Sequence, residues 1–181
     1  MSKFVNLADD KMTDAEKEKA HREYKYHGLL FHQHVSTFIL TGSWVRKESI
    51  VMTQSFCTDG NLEDLKKSLK KGGLKFSESL LCQFLVQALS ALVYIHSKDL
   101  VHRDIKPENI ALNLNGDVQI IDWGSCIKLT KKGLDYRFGS GAGSWYYMAP
   151  EIIKLSTEQR IGMFDGRVDI FSLGASIFIL L

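Results

Sequence analysis

The strongest pattern along the chain is a run of apolar residues at helical spacing between Ser79 and His96. Apolar side chains recur there every three or four positions, which predicts a long and largely buried helix. The apolar positions of this run are Leu81, Phe84, Leu85, Ala88, Leu89, Leu92, Val93 and Ile95. A second apolar run, residues 170–181, is interrupted by serine and glycine and is too short to span a bilayer. It predicts another buried helix.

Shorter elements are indicated before the long helix. Residues 13–16 read TDAE, a plausible capping start for a helix, and Gly28 is suited to end that helix. Residues 35–40 and 49–54 are rich in Val, Ile, Thr and Phe and predict two strands. Asn61 opens a short charged helix.

The segment after the long helix has a different character. Residues 110–112 and 118–121 predict two short strands around Asn115-Gly116, a strong signal for a hairpin turn. A long loop follows, and then the helix that begins at Asp169. Because the helices are concentrated in the C-terminal part, the order of elements predicts an α+β fold.

Composition narrows the class of protein. Hydrophobic residues make up 45% and charged residues 24%, which is typical of a globular domain. The net charge of +2 implies no general affinity for nucleic acid or for an anionic membrane. The cysteines, Cys57, Cys82 and Cys126, form no CxxC pair, so neither a zinc site nor a disulfide framework is expected. With no signal peptide at the N-terminus, this indicates a reducing compartment, cytoplasmic or nuclear.

Candidate chemistry is concentrated in residues 102–109, which read HRDIKPEN. Phosphoryl transfer needs a carboxylate to orient and deprotonate an alcohol, an amide oxygen to hold Mg²⁺, and a cation near the moving phosphate. Asp104, Asn109 and Lys106 supply these groups from one loop. A polar surface loop after a buried helix is the alternative interpretation, but the complete string between a helix and a hairpin favours chemistry.

This string and the motifs after it resemble the eukaryotic-type protein kinase superfamily, of the Ser/Thr type. The further motifs, in chain order, are Asp122-Trp123-Gly124, Ala149-Pro150-Glu151 and the helix start Asp169-Ile170-Phe171-Ser172-Leu173-Gly174. Over residues 3–181, the resemblance implies a protein-kinase-like two-lobed α+β fold. Residues 1–57 would form an incomplete small β lobe, and residues 58–181 an incomplete helical large lobe.

The resemblance also implies roles for individual residues. Asp104 would be the catalytic carboxylate and Lys106 the cation beside it. Asn109 and Asp122 would bind Mg²⁺ and, through it, ATP. Trp123 stands where the family usually has Phe, and it would pack under the helix that bears Glu23.

The remaining ATP-binding positions follow from the same resemblance. Lys3 and Glu23 would form the family's lysine–glutamate pair. Ser55 and Cys57 would belong to the hinge beside the adenine, and Ala111 would lie below it.

Both ends of the sequence differ from the family pattern. There is no room before Lys3 for the first two strands or the glycine-rich loop over the phosphates, and Lys11 remains an alternative to Lys3. At the other end, Glu151 would lose the arginine partner that the family's last helices supply. The apolar faces of the two long helices would be uncovered, which predicts aggregation or a partner protein that covers them.

The segment between Asp122 and Ala149 contains a glycine-rich stretch, residues 139–143. It does not lie between a strand and a helix at the start of a nucleotide fold, so we interpret it as a flexible loop and not as a phosphate-binding loop. Arg103 suggests regulation by a phosphate in this segment. The candidate acceptors are Thr130, Tyr136, Ser140 and Ser144.

Two functions therefore remain open. The first is an ATP-dependent protein serine/threonine kinase catalytic domain, which the intact chemical residues favour. The second is a catalytically impaired, truncated kinase that acts as a binding or regulatory module, with little activity of its own. A small-molecule kinase is disfavoured, because residues 149–151 belong to a region that serves peptide substrates in the family. The expected partners are ATP, Mg²⁺ and a protein substrate, without nucleic acid or membrane.

Overall fold

The computed structural model describes residues 2–6, 12–36, 38–39, 49–54, 60–129, 136–137, 145–158, 161–162 and 164–181. Within this part of the chain the α-helices are α1 (Asp14–His27), α2 (Leu62–Lys71), α3 (Glu78–His96), α4 (Pro150–Thr157) and α5 (Arg167–Leu180). The strands are β1 (Ser2–Asn6), β2 (Phe38–Ile39), β3 (Ser49–Gln54), β4 (Leu100–Val101), β5 (Ile110–Leu112), β6 (Val118–Ile120), β7 (Ile127–Lys128), β8 (Tyr136–Arg137) and β9 (Ile161–Gly162). Sheet and helices follow the α+β order that the sequence predicts.

The N-terminal part is a small antiparallel sheet in the order β1-β3-β2 with α1 beside it. Helix α1 begins at a capping box, as predicted. Thr13 Oγ1 accepts a hydrogen bond from the Glu16 amide at 3.3 Å, and the Glu16 carboxylate accepts one from the Thr13 amide at 2.8 Å. These two bonds satisfy amides that the first turn leaves without a helical partner. The buried face of α1 carries Ala20, Glu23 and His27.

The prediction of one strand over residues 35–40 is wrong at residues 35 and 36. Among the described residues, β2 covers Phe38–Ile39, whereas Val35 forms a parallel bridge with Ile120 of β6. The Ser36 amide donates to the Ile120 carbonyl, and the Ile120 amide donates to the His34 carbonyl. The backbone of this segment is therefore bonded to the β5–β6 hairpin, so it cannot extend β2 at that point.

Helix α3 is the centre of the larger core, as the apolar pattern predicts. Its buried residues are Leu81, Phe84, Ala88, Ala91, Leu92 and Ile95. Leu173 and Leu180 of α5 belong to the same core cluster. Val93 was predicted to be buried but is exposed, because it lies with Val86 on the face opposite the core.

With 19 residues and a mean hydropathy of 1.5, α3 is long and apolar enough to cross a membrane. In the fold, however, one face of it packs against α5 and β6, which is the packing of a core helix.

The remaining helices show two differences from the sequence expectations. Helix α2 begins directly after Asn61, as predicted, and Asn61 and Asp64 form a capping box there. Helix α4 was not predicted; Pro150 occupies its first turn, where the missing N–H costs nothing. Helix α5 begins at Arg167, so Asp169 lies inside its first turn and is not the residue before it.

Candidate functional site

The β5–β6 hairpin brings two of the predicted metal ligands to one end. Ile110 pairs with Ile120, so the residues just outside this pair, Asn109 and Ile121, face each other. The Ile121 amide donates to the Asn109 carbonyl at 3.0 Å. Asp122 follows directly, which places the Asn109 amide and the Asp122 carboxylate at the same end of the hairpin.

Residues 102–109 form the catalytic loop that the family resemblance implies, and its polar side chains form one cluster. Lys106 Nζ lies 3.0 Å from Asp104 Oδ2, and Asn109 Nδ2 donates to the same oxygen at 2.9 Å and to the Asp104 carbonyl at 2.8 Å. Both donors meet at Oδ2, and neither is directed at Oδ1. The structure thus brings Asp104, Lys106 and Asn109 together as the sequence predicts.

The backbone of the catalytic loop is hydrogen-bonded to Asp169, which is fully buried. Its Oδ1 accepts from the Arg103 amide at 2.8 Å, and its Oδ2 accepts from the His102 amide at 2.9 Å. Arg103 has φ +66°, a left-handed conformation that is unusual for a residue with a side chain. The two bonds to Asp169 hold it there. Asp169 thus anchors the backbone of residues 102 and 103.

His96 is a third partner of Asp169. Its Nε2 lies 2.9 Å from Asp169 Oδ2, and its ring is about one-quarter exposed. The Gly166 backbone is so close that a β-carbon at Gly166 would press on the His96 ring at 2.8 Å. His96, in the last turn of α3, therefore contacts the same carboxylate that holds the catalytic-loop backbone.

His102 connects the catalytic loop to the segment of Asp122. Its Nδ1 accepts from the Asp104 amide at 3.3 Å, so its Nε2 carries the proton and donates to the Ile121 carbonyl at 3.0 Å. One buried ring therefore fixes the spacing between the backbones next to Asp104 and Asp122.

Asp122 is itself in a left-handed conformation, with φ +59°. Its Oδ1 accepts from the Gly124 amide at 3.2 Å, and its Oδ2 lies 3.2 Å from Lys19 Nζ of α1. Burial acts to raise the pKa of this carboxyl group, but the nearby Lys19 charge and the hydrogen bonds outweigh burial and hold the pKa below its ordinary value. Asp122 is thus an anion with an ammonium group already beside it.

Trp123 packs against α1, as predicted, and is fully buried. Its ring stacks on His27 with 5.7 Å between centroids and meets the edge of His102 at 4.9 Å. The indole N–H points to Ser36 Oγ at 3.4 Å. The residue that differs from the family's usual Phe therefore fills the space between α1 and the catalytic loop, and its extra N–H has an acceptor.

The predicted ATP-binding residues are only partly placed by the structure. Glu23 is buried on α1, at 3% exposure, and Ala111 is buried in β5. Lys3 lies in β1, opposite Met52 of β3. Ser55, Cys57 and Lys11 lie outside the described residues, so the hinge and the choice between Lys3 and Lys11 stay predictions.

The segment after Asp122 is described in parts. Tyr136 lies in β8, opposite Gly162 of β9. The other predicted phosphate acceptors, Thr130, Ser140 and Ser144, lie outside the described residues. Trp145–Tyr147 forms a short 3₁₀ helix before α4, and Tyr146 is largely exposed there.

Three site residues were missed by sequence reasoning. Lys19 and Arg22 lie on α1 on the side facing Asp122 and Gly124, and Arg22 Nε donates to the Gly124 carbonyl at 3.3 Å. The spacing of Lys19 and Glu23, four residues apart on one helix, was a signal that could have found Lys19. No local signal points to His96, because its partner Asp169 is 73 residues away.

The donor set fits Mg²⁺ bound together with a nucleotide. Among the described residues, no group of three or more His, Cys, Asp and Glu side chains is placed to hold a metal ion. Mg²⁺, however, commonly takes one or two protein oxygens and completes its shell with phosphate oxygens and water. Asp122 offers a carboxylate, and Asn109 can offer its amide oxygen because its amide nitrogen is directed at Asp104.

Comparison with known proteins supports the resemblance to protein kinases over almost the whole chain. The family model described as "Protein kinase domain" matches residues 2–181. The MAP kinase kinase kinase wis4 of Schizosaccharomyces pombe is 34% identical over 183 residues, covering 97% of this chain and 12% of its own length. The calcium-dependent protein kinase 5 of Plasmodium berghei is 39% identical over 137 residues, covering 74% of this chain and 22% of its own.

A third relative is the serine/threonine-protein kinase pakH of Dictyostelium discoideum. It is 34% identical over 133 residues, which cover 74% of this chain and 24% of pakH. The chain thus spans less than a quarter of the length of each of these three relatives. The family match and the cluster of Asp104, Lys106 and Asn109 agree, and the chain belongs to the protein kinase family.

Proposed function

We propose that the chain is an ATP-dependent protein serine/threonine kinase catalytic domain, which transfers the γ-phosphoryl group of ATP to a protein hydroxyl. The observation that carries the proposal is the polar cluster of Asp104, Lys106 and Asn109, held by the buried Asp169. A surface loop without chemistry would not need a buried carboxylate to fix its backbone, nor two donors directed at one carboxylate oxygen.

Each residue of the cluster has a role that its contacts support. Asp104 Oδ1 would accept the proton of the substrate hydroxyl, since Oδ2 is already engaged by Lys106 and Asn109. Lys106 is only 20% exposed, so its charge is partly shielded from solvent beside the position of transfer. Asn109 would orient Asp104 through its nitrogen and would offer its oxygen to Mg²⁺.

The nucleotide and metal complete the proposed site. When bound, Mg²⁺ would supply positive charge that neutralises the transferring phosphate. Asp122 and Asn109 would hold it. Lys3 and Glu23 would form the pair that orients the phosphates, with Ser55 and Cys57 at the adenine edge and Ala111 beneath the ring. The buried positions of Glu23 and Ala111 support this arrangement.

The choice of serine or threonine as acceptor is the finer part of the proposal. It rests on Lys106, two residues after Asp104, and on the name of the relative pakH, a serine/threonine-protein kinase. Incubation with radiolabelled ATP, Mg²⁺ and a generic basic protein, followed by phosphoamino acid analysis, tests it. We expect phosphoserine and phosphothreonine; phosphotyrosine as the main product would overturn the acceptor assignment.

A second candidate function is a binding or regulatory module with weak transfer activity. The exposed apolar side chains of α3 and α5 favour it, and a partner protein that covers them stays a prediction. These side chains are Val86, Val93, Ile170, Phe171 and Phe178. A folded chain with no transfer that depends on Asp104 would favour this candidate over the kinase.

We also propose a cytoplasmic or nuclear location, which the free thiols of Cys82 and Cys126 support. The boundary between the lobes, after residue 57, lies outside the described residues and is proposed on the family resemblance alone.

A further inference from the structure

Lys19 is the α1 side chain that reaches the carboxylate of Asp122. Its Nζ lies 3.2 Å from Asp122 Oδ2, and the two side chains are 45% and 32% exposed. The other carboxylate oxygen, Oδ1, is held by the Gly124 amide. Lys19 therefore occupies the oxygen that is not used to shape the turn, which is the oxygen that a cation would need.

The path of the Lys19 side chain depends on Gly124. A β-carbon at Gly124 would overlap the methylene groups of Lys19, so a larger residue there would force this side chain to leave its present path to Asp122. Arg22, one turn further along α1, donates to the Gly124 carbonyl at 3.3 Å and is itself paired with Glu18 at 2.6 Å. Two cations of α1 thus contact the short turn that carries Asp122.

We propose that Lys19 is a positioning residue that holds the Asp122 carboxylate while no divalent cation is bound and is displaced when one binds. The inference rests on the proposed role of Asp122 as a metal ligand, and it makes Lys19 a competitor of the metal for that carboxylate. An ammonium group and a divalent cation cannot share one carboxylate oxygen without strong like-charge repulsion, so the binding of one disfavours the other.

The exposure of the pair makes the exchange feasible. An ion pair that is one-third to one-half exposed shifts an equilibrium by up to about fivefold. An ion pair of this strength can orient the Asp122 carboxylate in the metal-free chain. It is also weak enough for Mg²⁺ or Mn²⁺ to displace Lys19 from that carboxylate. A fully buried pair would resist replacement, because breaking it leaves an unpaired charge away from water.

The test is the affinity for Mn²⁺ without nucleotide, measured by the electron paramagnetic resonance signal of free Mn²⁺. We expect Lys19→Met to tighten Mn²⁺ binding about three- to fivefold, the factor that an exposed ion pair contributes. Lys19→Arg, which keeps the charge, should remain near the wild-type value. Lys17→Met is the matched control, since it removes the same charge from α1 two residues earlier, on a different face.

Asp122→Asn distinguishes a failure of the inference about Lys19 from a failure of the proposed metal role of Asp122. If Asp122→Asn weakens Mn²⁺ binding and Lys19→Met tightens it more than Lys17→Met does, the inference holds. If Asp122→Asn weakens binding but Lys19→Met and Lys17→Met behave alike, Lys19 is no competitor and only the inference is overturned. If Asp122→Asn leaves the affinity unchanged, the metal role of Asp122 in the proposed function is wrong as well.

Discussion

The catalytic loop and the Asp122 turn are held by opposite kinds of contact. The loop is fixed by directional hydrogen bonds to one buried carboxylate, Asp169. The turn is fixed by the buried ring of Trp123, while its polar contacts with Lys19 and Arg22 are partly exposed. We therefore expect the backbone next to Asp104 to keep one geometry. The carboxylate of Asp122, in contrast, can change partners while its backbone stays in place.

Trp123→Ala should have the largest effect on stability, because it removes the ring that holds the turn between α1 and His102. We expect the free energy of unfolding to fall by about 4 kcal/mol, as for other large-to-small substitutions of fully buried aromatic residues. Urea denaturation measures this. Trp145→Ala, at a half-exposed position, is the control and should change stability little. Equal losses in the two variants would mean that the turn does not depend on Trp123.

Asp169→Ala should come next, since it removes the acceptor of the His102 and Arg103 amides. Leaving such buried donors unpaired should cost about 3 kcal/mol in total. Asp165→Ala, at a carboxylate that is half exposed and paired with Arg167, is the matched control. A loss no larger than that of the control would show that Asp169 does not anchor the loop.

His96→Ala should have a smaller effect, because Asp169 keeps its two amide donors. We expect a loss of about 1.5 kcal/mol, the lower end for a hydrogen bond to a charged group. His21→Ala, at an exposed position of α1, serves as the control in the same denaturation experiment. A loss as large as that of Asp169→Ala would mean that His96, and not the amides, is the main partner of the carboxylate.

Lys19→Met should have the smallest effect on stability, below about 1 kcal/mol, because the pair with Asp122 is partly exposed. Thermal unfolding of this variant beside Lys17→Met measures it. A loss of several kcal/mol would contradict the description of the turn as held mainly by Trp123, and it would make Lys19 a structural residue.

Local sequence patterns predicted those parts of the fold whose causes are local. The capping residues Thr13 and Asn61 mark where α1 and α2 begin, and the apolar spacing marks α3. The strand predicted at Val35 failed because its backbone bonds to Ile120, far along the chain. Helix α4 escaped prediction because it is only eight residues long and has no side-chain cap.

The residues of the candidate site also divide into those that the local sequence groups and those that only the fold brings together. Asp104, Lys106 and Asn109 lie within six residues of one loop, so the sequence alone could group them. The contacts of Asp122 with Lys19 and of Asp169 with His96 join residues that are 103 and 73 positions apart. The packing of α1 on the Asp122 turn and of α3 on α5 brings these pairs together, so neither pair can be read from a short stretch of sequence.

The most direct test of the account is the rate of Mg²⁺-dependent phosphate transfer from ATP to a generic basic protein by the chain and by Asp104→Asn. The two side chains have nearly the same size, so the thermal unfolding midpoint should be similar and any difference in rate is chemical. We expect transfer by the chain and a rate at least about 100-fold lower in Asp104→Asn. Equal rates in the two proteins would contradict the assignment of Asp104, and with it the proposed kinase function.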